Sequence, residues 1–301
     1  MLTIGSLFSG IGGLELGLER AGMRTVWQVE MDDYATQILA RHWPDAIRFR
    51  DVREVGSHNL PHVDLICGGF PCQDISYAGK GVGIAGERSG LWSEFARIVR
   101  ELRPRYVVVE NVSALLARGL GVVLGDLAAC GYDAEWDCIP AAAVGAYHLR
   151  DRIFIVAYPH GERHARREQR VDDLGRISAA AAESDEADRA MADAISERCD
   201  ERPPPGGIQA RESIPCSHRS RSRLGECGIF GGDARRELAD AFRRNRTGAG
   251  VWATEPDVGR VAHGVPNRVD RIRCLGNAVV PQVAEFIGRR IIAMEEACAA
   301  S

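Results

Sequence analysis

Three segments of the chain set reactive side chains beside features that hold such groups. In Phe70-Pro71-Cys72-Gln73, proline fixes the backbone just ahead of a cysteine. A thiol held after a strand, beside a helix start or a cation, has a lowered pKa and acts as a nucleophile. The competing reading is a small buried hydrophobe. That suits Cys67, Cys130 and Cys298 better than Cys72, which has Gly, Pro, Gln and Asp around it. Further on, the apolar or aromatic run Tyr106 to Val109 leads into Glu110, Asn111 and Val112. A carboxyl at a buried strand end has a raised pKa and donates a proton at about pH 7; the alternative is an acid paired with an arginine. Arg150-Asp151-Arg152 then opens the apolar run Ile153 to Ala157. Alternation puts both arginines on one face. They either clamp a carboxylate, carbonyl or phosphate or border solvent.

A glycine loop, Phe8-Ser9-Gly10-Ile11-Gly12-Gly13, lies near the start of the chain. Its glycines allow a tight turn and close approach to a ligand. Glu15 stands where the third glycine of GxGxxG would fall, so the pattern does not fit a dinucleotide. Glu30 ends the next apolar run, where a carboxylate takes ribose hydroxyls. Loop and acid together read as a site for a nucleoside cofactor without a pyrophosphate, or else as a plain strand-to-helix turn followed by a solvated acid.

These groups need elements to position them. The runs Thr3–Phe8, Thr25–Glu30, Val63–Cys67, Tyr106–Glu110 and Arg152–Tyr158 are rich in Val, Ile and aromatics, as buried parallel strands are. Helical stretches intervene, such as Leu14–Ala21, stopped by Gly22, and Tyr34–His42; a last helix spans Gln282–Ala297. The pattern predicts an α/β domain with a parallel sheet. Ligands bind outside the carboxyl ends of such strands. The glycine loop, Glu30, Cys72 and Glu110 are therefore expected on one rim.

Composition narrows the class. The 301 residues are 45% hydrophobic and 27% charged, an ordinary globular balance. No apolar run of about 18 residues suggests a membrane span, and the start, MLTIGSLFSGIGG, does not read as a signal peptide. Nine cysteines without a CxxC pair point to a reducing compartment, against disulfides and against a zinc ribbon. A net charge of −4 excludes a chain that is basic all over but allows a local basic groove.

The ordered set Phe8–Gly13, Gly69–Gln73, Glu110–Val112, Arg150–Arg152 and Gly276-Asn277-Ala278-Val279-Val280-Pro281 resembles the DNA (cytosine-5) methyltransferases of bacteria and phages. The resemblance covers residues 2–158 and 252–290. It implies a Rossmann-like α/β fold and S-adenosylmethionine as cofactor. Phe8, Gly10, Ile11, Gly12, Gly13, Glu30, Met31, Asp51, Val52, Asn277 and Ala278 would surround that cofactor. It implies Cys72 as nucleophile, with Glu110, Arg150 and Arg152 as its catalytic companions. Pro71, Gln73, Ser76, Lys80, Arg88 and Asn111 would lie against the substrate, double-stranded DNA, whose target base must be flipped out. The glycine-rich stretch Ser76–Gly90 suits a closing lid. No metal is implied, and a cytoplasmic monomer is expected, in a bacterium or a phage-infected cell. One departure is His148, where the family usually has Gln.

The resemblance divides the chain into a catalytic domain, 1–158 plus 252–301, and a target recognition region, 159–251. Phe230 and Phe242 are the sole aromatics of that region, its charges nearly cancel, and it is expected to bury little apolar surface. Arg219 to Arg223 and Arg243 to Arg246 read either as phosphate contacts or as solvated charge. Cys199, Cys216, His218 and Cys227 match no zinc spacing.

Overall fold

Strand β1 (Thr3–Leu7) is buried at four of five positions and lies in the interior of the sheet. A computed structural model describes residues 1–71, 91–146, 148–160, 228–246 and 266–299. Among these, seven strands form one sheet in the order β3-β2-β1-β4-β5-β7-β6. The others are β2 (Arg24–Val29), β3 (Ile47–Phe49), β4 (Leu65–Gly68), β5 (Tyr106–Val112), β6 (Tyr132–Pro140) and β7 (Asp151–Pro159). Strands β1 to β5 pair in parallel. Helices α1 (Gly13–Arg20), α2 (Asp33–His42) and α3 (Trp92–Leu102) carry the chain between them. The helices that follow are α4 (Leu115–Arg118), α5 (Leu120–Ala129), α6 (Gly232–Arg246), α7 (Arg268–Asn277) and α8 (Pro281–Ala299).

The sheet is not parallel throughout, which corrects the expectation from sequence. β7 runs antiparallel to both β5 and β6. No long helix crosses between β6 and β7; only the short turn Ala141–Val144 and a few further residues join them. Such a connection reverses the chain, whereas a parallel pair needs a crossover of a dozen or more residues. The reversal matters for function. It brings the start of β7 to the rim where β5 ends, with Arg152 opposite Val112. In a fully parallel sheet Arg150 and Arg152 would lie at the far edge from Glu110.

Alternation along β5 sends Val107 and Val109 to one core and Tyr106 and Val108 to the other. The first core meets α3 and α5 through Trp92, Phe95, Val123 and Leu127. Trp92 Nε1 also donates to Asp126 at 2.8 Å, fixing the two helices to each other. The second core takes Leu14 and Leu18 of α1 together with Ala284, Ile287 and Ile291 of α8. It also takes Ile229, Phe230, Ala234, Leu238 and Phe242. Residues 228–246 thus bury both aromatics of the segment between Pro159 and Val251, against the expectation of little apolar burial there.

Helix α8 returns the end of the chain to its beginning. A Cβ at Gly17 would lie 2.2 Å from the Pro281 carbonyl oxygen and 2.5 Å from the Ala284 Cβ. Alanine gains about 1 kcal/mol of helix propensity over glycine. Forcing α1 and α8 apart costs about 1–3 kcal/mol or more, and a backbone oxygen cannot swing aside. Gly17→Ala is therefore expected to lower the melting temperature. An unchanged or raised value would show that α8 does not dock as described.

Candidate active site

The carboxyl ends of β1, β2, β4 and β5 open on one cavity of about 310 Å³. It lies beside the switch point of the sheet, where β1 is flanked by β2 on one side and β4 on the other. Phe8, Val29, Glu30, Met31, Arg50 and Val52 line one side. Pro71, Glu110, Asn111, Val112, Arg150 and Arg152 line the other, with Gly276 and Asn277 closing it from the C-terminal part of the chain. Residues expected for cofactor and for substrate therefore share one space.

On the first side the backbone sets the geometry. Phe8 has a left-handed φ of 55°, a conformation costing a bulky residue about 1–3 kcal/mol. Gly10 is also left-handed, and a Cβ there would meet nothing within 4 Å, so its backbone faces open space. Gly12 and Gly13 are small for another reason. A Cβ on Gly12 would strike the Trp43 ring at 2.4 Å, and one on Gly13 the Val279 carbonyl oxygen at 2.4 Å. Neither glycine lines the cavity, nor do Gly10 and Ile11 just before them. Glu30 is fixed by two backbone donors: Gly10 N–H to Oε2 at 2.7 Å and Asp32 N–H to Oε1 at 2.8 Å. Each oxygen keeps a lone pair for a hydroxyl. Asp51 turns instead to Arg53, bonded at 2.7 Å, and caps the turn Val52–Glu54; it does not line the cavity.

On the second side, Glu110 is buried at the end of β5. Burial raises its pKa from the ordinary 4.5 to about 7, against the pull of Arg152 and then Arg150. Arg152 Nε lies 3.2 Å from Glu110 Oε1. The two sequence readings of Glu110, raised acid and arginine-paired acid, thus both hold. A Cβ on Gly69 would reach to 2.7 Å of Glu110 Oε2, so a larger residue here would push this carboxyl aside. Asn111 Nδ2 donates to the Phe70 carbonyl at 3.1 Å and ties β5 to the segment leading to Pro71. Arg150, left-handed at φ 37°, reaches across to the carbonyls of Gly276 and Ala278 at 2.8 and 2.5 Å. It anchors the returning segment that brings Asn277 to the cavity.

Cys72, Gln73, Ser76, Lys80 and Arg88 lie outside the described residues, as do the 219–223 arginines and Cys199, Cys216, His218 and Cys227. Pro71, one residue before Cys72, lines the cavity. Sequence reasoning missed Arg50 and Leu91, which also line it. Arg50 donates to Thr36 Oγ1 at 2.9 Å and also holds the Met31 carbonyl and Asp33. Its position at the end of β3 was the available signal, but β3 is too short to recognise. No signal marked Leu91. Among the described residues no helix is long and apolar enough to cross a membrane.

Residues 2–203 match a family model described as C-5 cytosine-specific DNA methylase. Among curated proteins, the chain is similar to Type II methyltransferase M.NgoFVII of Neisseria gonorrhoeae, 36% identical over 157 residues, 50% of this chain and 42% of that protein. It is also similar to Type II methyltransferase M.NgoBI of the same organism, 34% identical over 156 residues, 50% of this chain and 49% of that protein. The chain spans about half the length of the curated relatives it matches. A solved structure of a Spodoptera frugiperda DNMT2 variant aligns with a TM-score of 0.47 at 21% identity, over 54% of this chain and 51% of that one.

Proposed function

Because the chain belongs to the C-5 cytosine-specific DNA methylase family, we propose that it moves a methyl group from S-adenosylmethionine to carbon 5 of a cytosine flipped out of double-stranded DNA. The observation that carries this reading is the single cavity joining Phe8, Glu30 and Met31 to Glu110 and Arg152. The first group fits the cofactor. Open space at Gly10, apolar walls from Phe8, Met31 and Val52, and a fixed Glu30 carboxylate suit a nucleoside with a charged tail. Phe8, Met31 and Val52 would take the adenine, Glu30 the ribose hydroxyls and the open backbone at Gly10 the methionine side, and Asn277 and Ala278 would close the site. Asp51 belongs to the adenine side only if its bond to Arg53 opens.

S-adenosylmethionine, when bound, supplies an activated methyl group. The chain supplies the rest. The Cys72 thiolate adds to carbon 6 of the cytosine, forming a sulfur–carbon bond and shifting the ring electrons to carbon 5. Glu110, protonated, donates to N3 of the base and offsets the charge that builds there. Arg152 holds Glu110 and the base O2. After carbon 5 has taken the methyl group, a solvent water takes its proton, the C–H electrons restore the double bond to carbon 6, the sulfur–carbon bond breaks, and Cys72 leaves as thiolate. Flipping the base costs a few kcal/mol; contacts from Gln73, Ser76, Lys80 and Arg88 repay it. Target recognition lies within 159–251, of which 228–246 packs on the sheet. We place the protein in the cytoplasm as a monomer, in a restriction–modification or phage setting.

The test is incubation with labelled S-adenosylmethionine and cytosine-containing duplex DNA, with tRNA in parallel. The expected result is label on carbon 5 of DNA cytosine. Label on tRNA alone, or on the exocyclic amine, would overturn the proposal.

A further inference from the structure

Beneath the glycine loop lies a buried polar pair that the proposed reaction does not touch. Glu15, in the first turn of α1, and Gln28, on β2, have no exposed surface. Gln28 Nε2 donates to Glu15 Oε1 at 3.4 Å. The remaining oxygens of the pair, Glu15 Oε2 and Gln28 Oε1, have no hydrogen-bond partner. Buried acceptors left without donors are costly and call for an explanation. One proton answers both. On Glu15 Oε2 it would turn that oxygen into a donor and offer Gln28 Oε1 a partner, so that acid and amide, already joined once, would close a ring of two hydrogen bonds. Ionised, Glu15 leaves both oxygens orphaned and sets a charge in the core.

The pair joins the two segments that build the proposed cofactor site. Glu15 follows the glycine loop by two residues, and Gln28 precedes Glu30 by two. The bond from Gly10 N–H to Glu30 Oε2 is one rung between these segments. Ser9 N–H to the Val29 carbonyl, at 3.2 Å, is another, and Glu15 with Gln28 adds a side-chain rung. We propose that Glu15 is a positioning residue: its proton closes the ring with Gln28 and seats the glycine loop against the end of β2, and its ionisation opens the ring and weakens cofactor binding. The inference rests on the reading of this site as one for S-adenosylmethionine.

The surroundings agree. Burial raises the Glu15 pKa to about 6, with its own backbone amide, Ser6 of β1, Ser9 of the loop and Gln28 drawing it down. Cys67 of β4 also faces it, and burial together with the Glu15 charge pushes that thiol well up. On α8, which packs on α1 at Gly17, Glu285 pairs with Arg289.

The experiment compares the full chain with Glu15→Gln, a neutral isostere. Thermal unfolding, infrared difference spectra and calorimetric binding of S-adenosylmethionine are followed as pH rises through about 6. Wild type is expected to lose a protonated-carboxyl carbonyl band that Glu15→Gln lacks, and its cofactor affinity is expected to fall by about tenfold. The variant should bind with no such fall. Glu15→Leu, which orphans Gln28, should bind weakly throughout. Absence of that band from wild type, or the same pH dependence of binding in wild type and Glu15→Gln, would overturn the proposal. If wild type shows the band but binds no cofactor at any pH, the cofactor reading fails instead, and the assignment of Glu15 as a cofactor-positioning residue goes with it, while the proton-closed pair stands.

Discussion

Glu110→Gln is expected to lower methyl transfer by about 10²–10⁴-fold while the protein still folds and still binds DNA. Glutamine keeps the volume and a hydrogen-bond donor but has no acidic proton to give. Burial holds the Glu110 carboxyl at a pKa of about 7 although Arg152 stands 3.2 Å away. A neutral carboxyl is thus available at neutral pH, and turnover should decline as pH rises through about 7. Removing Arg152 takes away a group that lowers this pKa, so Arg152→Ala should move the decline to higher pH. Stability follows the same proton. Folding raises the Glu110 pKa above its ordinary 4.5, so protonation favours the folded state. That contribution is complete below pH 4.5 and is lost as pH climbs to about 7. Glu110→Gln should flatten this part of the stability profile. A variant with wild-type turnover, or one whose rate keeps the wild-type pH dependence, would remove Glu110 from the chemistry.

Cys72→Ala should have the larger effect, a loss on the order of 10⁶-fold, as when a covalent nucleophile is deleted. Without the sulfur, carbon 5 of cytosine is too poor a nucleophile to take the methyl group. Cofactor affinity should be unchanged, because the cofactor contacts proposed for Phe8, Glu30 and Met31 of the cavity lining do not involve this side chain. The measurement is single-turnover methyl transfer beside calorimetric cofactor binding. Loss of both together would point to a misfolded variant, and Cys72→Ser, closer in shape, then separates the two causes. Substantial transfer by either variant would contradict covalent catalysis.

The rim was legible in the sequence because strong strands end in chemically unusual residues. Runs such as Tyr106 to Val109 declare a buried strand, and Glu110 after them declares a carboxyl at its end. What escaped depended on partners distant in the chain. β7 reads as a strand from its Ile and Val content, but its direction comes from the short link to β6, and β6 has too few buried residues to announce itself. Gly12 and Gly13 looked like ligand-facing glycines, whereas Trp43 and Val279 require them to be small. Phe230 and Phe242 sit in a stretch whose average composition predicts little burial, yet amphipathic spacing through Ala234 and Leu238 places them in the core. Asp51, expected at the cofactor, is bonded to a cation two residues away. Glu15 was noticed only for not being glycine.

The central claim, a transient bond between sulfur and pyrimidine in this cavity, is tested most directly with duplex DNA carrying 5-fluorocytosine. Fluorine at carbon 5 blocks the loss of the proton and should leave the protein joined to DNA once the methyl group has moved. Mass spectrometry of the digested product is expected to find the pyrimidine on Cys72. An adduct on another residue, or methyl transfer to ordinary duplex with no adduct on the fluorinated one, would contradict the account.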